Sequence, residues 1–92
     1  MKVSSVKIRK IFPEDERLAA LLSVTIDQEF VIHDVKIIKG DTRVFVAMPS
    51  KKDKLGGFHD IVHPISTRAR SDFEKDVIAL YYSELEKSET GE

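Results

Sequence analysis

The strongest constraint on the fold is a set of four apolar segments in the first half of the chain, separated by turn signals. These segments are residues 3–12, 18–26, 30–38 and 43–48. Alternation with a period of two residues is typical of a strand with one buried face. In the second segment, alternate positions from Leu18 to Ile26 form one apolar face. The other face carries Ala19, Leu21, Ser23 and Thr25, so both faces contain apolar residues, which predicts a central strand.

Short turns connect these strands. Asp27-Gln28 predicts a tight hairpin, and Gly40 in the next turn is expected to supply a positive φ. Pro13 begins an acidic turn, and Pro49 ends the fourth strand because it has no N–H for the ladder. Three successive short connections predict an antiparallel meander, the simplest arrangement of consecutive strands.

The second half of the chain predicts a basic loop and a helix. The loop carries a Gly56-Gly57 hinge, and residues 58–65 are a candidate short fifth strand. Either Ser66 or Thr67 can cap the helix that follows. The predicted fold is α+β, a small antiparallel β-meander followed by a C-terminal α-helix. Its divisions are one domain over residues 1–92, a sheet part over 1–65 with the loop at 49–60, a helix over 66–86 and a frayed tail over 87–92.

The helix carries an apolar arc that is wider than one contact with a sheet requires. Its members are Phe73, Val77, Ile78, Leu80, Tyr81, Tyr82 and Leu85. One interpretation packs the whole arc inside the monomer. The other, which we favour, leaves a patch for a second copy, because a small meander also leaves strand edges open. The chain is therefore expected to form a homodimer.

Several classes of chemistry are disfavoured. The chain has no cysteine, which removes disulfides, thiolate metal sites and cysteine nucleophiles. His59 and His63 lie on an extended segment, where residues four apart are about 13 Å from each other, too far for one metal ion. We expect no catalytic residues, no metal, no cofactor and no small-molecule substrate. No apolar run is long enough to span a membrane, so a cytoplasmic protein is expected.

Charge is distributed unevenly. The net charge is −1, yet residues 1–71 carry +4 and residues 72–92 carry −5. Cations gather in the loop and the first turn of the helix, where free N–H groups also favour phosphate. The candidate nucleic-acid-binding residues are Lys51, Lys52, Lys54, Arg68 and Arg70. The alternative interpretation is a solvated surface in which local acids pair with these cations.

Three motifs resemble the stage V sporulation protein G (SpoVG) family of bacterial septation regulators. In order, they are EFVIHDVKII at 29–38, FVAMPSK at 45–51 and F-x-DI-x-HPI at 58–65. The opening V-x-x-V-x-I-R and the helix TRARSDFEKDVIALYYSEL extend the resemblance over nearly the full length. Departures are small: Val44 stands where a leucine is expected, and Gly57 where an acidic residue is common.

The resemblance implies a short sheet followed by a helix, a homodimer, and site-selective binding of DNA, with RNA as a second candidate ligand. It also implies a role in septation, sporulation or gene regulation. The alternative function is a protein–protein interaction module of the division machinery, in which the open sheet edge takes a partner strand. The salt dependence of binding separates the two functions, because only phosphate contacts release counterions.

Overall fold

The computed structural model describes residues 1–89, so part of the predicted tail, residues 90–92, lies outside the described residues. The elements are β1 (Val3–Ile11), β2 (Leu18–Ile26), β3 (Phe30–Lys39), β4 (Val44–Ala47), β5 (Ser50–Lys52), β6 (Phe58–Asp60) and α1 (Thr67–Glu89). Strands β1 to β4 form one antiparallel sheet in the order β1-β2-β3-β4, and β5 pairs with β6 separately. The predicted α+β meander with a C-terminal helix is confirmed.

The β2–β3 hairpin has the backbone that its length requires. Three residues, 27–29, separate the paired ends Ile26 and Phe30. Asp27 and Gln28 have φ values of 53° and 58°, the left-handed pair of a tight turn that the Glu29 N–H closes by donating to the Ile26 carbonyl at 3.0 Å. Two hydrogen bonds tie this turn to the start of β1. The Lys2 N–H donates to Asp27 Oδ1 at 2.9 Å, and the Gln28 N–H donates to Ser4 Oγ at 2.8 Å. The predicted tight turn is confirmed.

Gly40 serves a different purpose from the one expected. Among the described glycines only Gly56 has a positive φ, so the prediction for Gly40 is wrong. A Cβ at Gly40 would collide with the Phe45 ring and lie 2.7 Å from the Arg43 carbonyl oxygen. Glycine is required here because the chain turns back closely enough for the ring of Phe45 to lie against the backbone.

The core lies between one face of the sheet and α1. Leu22, Val35 and Ile37 are fully buried on this face, and on the helix Phe73, Val77 and Tyr81 share a side at four-residue spacing and are buried as well. Tyr82 remains 47% exposed. The middle of the predicted arc is therefore packed within the monomer, and only its margin faces solvent.

The opposite side of the sheet, called the open face below, is covered by no helix or strand of residues 1–89. The strand register aligns two rows across it, Lys10–Leu21–Lys36–Ala47 and Leu18–Ile38–Phe45. Alternation along β2 predicts Leu18 on the same face as Ala20. The register shift between them turns Leu18 to the open face, since it pairs with Ile38 while Ala20 pairs with Ile37.

Residues 50–63, called the arm below, do not form the long loop that the sequence predicts. They form the β5–β6 hairpin, in which Ser50 pairs with Asp60 and Lys52 pairs with Phe58. Every residue from 51 to 63 is exposed. The candidate fifth strand is shorter than expected and does not join the main sheet.

Leu22 and Leu55 offer a matched test of where the core lies, because they are 0% and 96% exposed. Leu22→Ala should lower the free energy of unfolding by about 2–5 kcal/mol, since it removes buried methyl groups and leaves a cavity. Leu55→Ala should change it by less than about 0.5 kcal/mol. Urea denaturation at one protein concentration measures both. Equal losses of stability in the two variants would contradict this assignment of the core.

Candidate nucleic-acid interface

The turn of the arm is held by one carboxylate. Asp53 Oδ1 accepts hydrogen bonds from the N–H groups of Leu55 and Gly57, each at 2.9 Å, and Asp53 Oδ2 lies 2.6 Å from His59 Nε2. The Asp53 N–H donates back to the Gly57 carbonyl at 2.8 Å. Gly56 supplies the positive φ, 91°, that this turn needs. The arm is therefore a hairpin whose turn is held by specific hydrogen bonds.

These contacts lower the pKa of Asp53 below its usual value of 3.8. The largest cause is the hydrogen bond from His59, followed by that from the Gly57 backbone N–H; both favour the ionised carboxylate. A depressed carboxyl pKa contributes stability that is present above the ordinary pKa and disappears as the pH falls through the folded value. The turn should therefore stay intact at neutral pH and weaken in acid.

The first turn of α1 presents the other cations. Ser66 is the cap actually used, since its Oγ accepts the Ala69 N–H at 3.0 Å. Arg68 Nε lies 3.9 Å from Asp72 Oδ2, and the two side chains are 92% and 66% exposed. Such a long, exposed pair contributes little, so it leaves Arg68 available to a ligand. Arg70 has no ion pair among the described residues.

The five predicted nucleic-acid-binding residues are distributed over three surface depressions. Lys51, Lys52 and Lys54 line one depression together with Asp53 and His59. Arg70 lines a neighbouring depression, which His59 also borders with Phe58, Asp60 and His63. Arg68 lies in a separate depression with Met1 and Asp72. His59 therefore links the arm lysines to Arg70, whereas Arg68 is set apart from both.

Sequence reasoning missed the pairing of Asp53 with His59. The aspartate next to His59 in the sequence is Asp60, and adjacent residues of a strand point to opposite faces, so the sequence marks no histidine–aspartate pair here. The usable signal was the turn itself, since an aspartate followed by Gly-Gly is typical of a side chain that binds its own turn backbone. The position of His59 needed the register, which sets it opposite Lys51.

Comparison with known proteins points to one family. The SpoVG family model matches residues 1–83. A protein of Clostridium novyi named "Putative septation protein SpoVG" is 46% identical, over 98% of this chain and 87% of its own length. Proteins of the same name from Staphylococcus saprophyticus and Clostridium botulinum are 47% and 40% identical, over 88% and 100% of this chain and 79% and 100% of their own lengths. The one helix within residues 1–89 is too polar to cross a membrane.

Removing the imidazole should release the Asp53 carboxyl. In His59→Ala the pKa of Asp53 should rise toward its usual value, because the largest cause of the shift is removed while the backbone donors remain. An NMR titration of the Asp53 carboxyl carbon in both proteins measures this. Identical titration curves would mean that His59 does not hold the turn.

Proposed function

This chain belongs to the SpoVG family, and we propose that it is a homodimeric regulator of septation or sporulation that binds nucleic acid. Phosphate contacts come from the arm and the first turn of α1. The ligand is DNA, with RNA as a second candidate. The protein acts in the cytoplasm, without catalysis or a cofactor. The name that its relatives carry supports the link to septation.

The observation that carries the proposal is the exposure of the cations on two ordered elements. Lys51 and Lys52 stand on a strand of the arm, and Arg68 and Arg70 stand on the first turn of α1. Asp53 lies among the lysines of the arm, but its carboxylate is already hydrogen-bonded to the turn backbone and to His59. Local acids therefore neutralise these cations only weakly. Cations held on strands and helices contact phosphates at a lower entropic cost than cations on a loose loop.

The arm also supports the homodimer. Phe58 and Ile61 of the arm are 69% and 68% exposed, and Ile65, two residues after the arm ends, is 92% exposed. Side chains of this kind, gathered on one projecting segment, are typical of a surface that a partner covers. The outer edge of β4 is less suitable, because the Val46 N–H donates to Glu74 Oε2 of α1 at 3.1 Å. The interface of the dimer is therefore assigned to the arm rather than to that edge.

The phosphate-binding function predicts a steep salt dependence. A dimer that neutralises about 4–6 phosphates should show a slope of log K against log salt of about −4 to −5 on a DNA duplex. The double variant Arg68→Ala/Arg70→Ala should bind more weakly and reduce the slope by about one for each phosphate that is no longer neutralised. Binding titrations at several salt concentrations measure both quantities.

The matched control removes the same charge elsewhere. Lys2→Ala/Lys75→Ala replaces two exposed cations outside the candidate interface and should leave the slope nearly unchanged. Circular dichroism establishes that each variant is folded. If the folded arginine variant keeps the affinity and the slope of the natural sequence, the interface is wrong. The interaction-module function then becomes the better explanation.

The assignment of the dimer to the arm has its own test. Light scattering at micromolar concentration should give about twice the monomer mass of 10.5 kDa. Ile61→Ser/Ile65→Ser should shift the equilibrium toward monomer, because each change removes apolar area from the interface. Ile11→Ser, at a residue 53% exposed on β1, should not. A monomeric natural sequence would contradict the dimer, and a dimer disrupted only in Ile11→Ser would move the interface to the β1 edge.

A further inference from the structure

We propose that the open face of the main sheet is a second nucleic-acid site, one that takes the unpaired bases of a single strand. The inference rests on the proposed function and deepens it, since it names the form of nucleic acid that the protein prefers. The five cations assigned to phosphate binding all lie outside this face. The proposal begins from side chains that neither the core nor the arm uses.

Positive charge predominates over negative charge in the strands of the main sheet. Strands β1 to β4 contain five Lys or Arg residues and a single acid, Asp34. The register places three of the lysines on the open face, because Lys7 pairs with Ser23, and Lys10 and Lys36 both pair with Leu21. None of the three is in an ion pair with another of residues 1–87. This face is therefore complementary to an anion.

Aromatic rings stand at both ends of the same face. Lys10 Nζ lies 4.8 Å from the centre of the Phe12 ring beside β1, and the Arg43 guanidinium carbon lies 4.5 Å from the centre of the Phe45 ring on β4. Phe45 is 38% exposed, and its ring is held against the backbone of Gly40. The edge strands β1 and β4 are three strand spacings apart, about 14 Å. That span suits two or three bases on a four-stranded sheet.

The cations beside the rings fit the same ligand. A base that stacks on the Phe12 ring takes the place of the Lys10 ammonium, which can then reach the adjacent phosphate. At the other ring, Arg43 also has a carboxylate partner, Glu74 at 3.5 Å. Lys36 is half-buried between Leu21 and Ala47. Its ammonium group is in no ion pair with a carboxylate of residues 1–87, so a bound phosphate would have no competing acid there. Bases stacked on the rings and phosphates bound to the lysines together explain why the open face carries both aromatic and cationic side chains.

A second copy fits this face less well. Two open faces packed against each other would bring Lys10 and Lys36 of one protomer close to the same residues of the other. Like charges in a desolvated contact oppose association. Duplex nucleic acid fits poorly as well, because its bases are stacked inside and cannot reach Phe12 and Phe45. Single-stranded nucleic acid is the occupant that satisfies both the rings and the charges.

The test uses the full chain with Phe12→Leu, Phe45→Leu and both together, which keep apolar bulk and remove the stacking surface. Binding of an oligothymidylate of about 12 nucleotides should fall about 10-fold for each single variant and about 100-fold for the pair, with the salt slope unchanged. Binding of a duplex should not change. Phe30→Leu is the control, since Phe30 is 72% exposed but pairs with Ile26, whose side chain lies on the buried face.

Lys36→Gln gives a second measurement should the phenylalanine variants be unstable. It should reduce the salt slope on oligothymidylate by about 0.7 for each site, because one phosphate is no longer neutralised. Lys75→Gln on α1 should not. An unchanged affinity and slope in all sheet variants would overturn the inference. If the arginine variant of the helix start still weakens duplex binding, the proposed function survives that result.

Two further results would each overturn the inference, for different reasons. If the natural sequence binds neither probe at low salt, the proposed function fails together with the inference. If Phe12→Leu/Phe45→Leu turns a dimer into a monomer in light scattering, the open face is a contact between copies and the inference is overturned. Weaker binding of oligothymidylate with unchanged mass and unchanged duplex binding would support it.

Discussion

The packing of α1 against one face of the meander is the contact on which the rest of the structure depends. Phe73, Val77 and Tyr81 fill the space above Leu22 and the strands beside it. A four-stranded sheet of this size has little stability without a covering layer, because its apolar face would otherwise stay in water. The helix covers only one face, so the contact that forms the core also leaves the other face open.

The same packing orients the polar parts of the helix. Glu74 lies within reach of β4, where it accepts the Val46 N–H and lies 3.5 Å from Arg43. A carboxylate on an unpaired edge N–H satisfies that donor and blocks the addition of another strand. Arg70, in the first turn of α1, stands close to the arm, as the depression that it shares with His59 shows. One helix thus supplies core, edge protection and candidate ligand contacts.

Much of the candidate site could be predicted, and the missing parts share one cause. The cations are visible in the sequence because charge and local context suffice to mark them. The partner of His59 is not visible, because it lies six residues away across a hairpin whose register only the folded arm defines. The open face was hidden for the same reason. One of its rows joins residues from all four strands and the other from three, and a register shift turns Leu18 onto it.

The sequence by itself determined the elements: four strands by alternation, a tight turn at Asp27-Gln28, a capped helix after Pro64, and membership of one family by its motifs. These are local properties, because each depends on neighbouring residues and their backbone preferences. Only the tertiary structure decided that residues 50–63 project as a hairpin and that the helix covers one face of the sheet. Those outcomes depend on which apolar surfaces, distant in the sequence, pack against each other, and a local sequence pattern does not determine that packing.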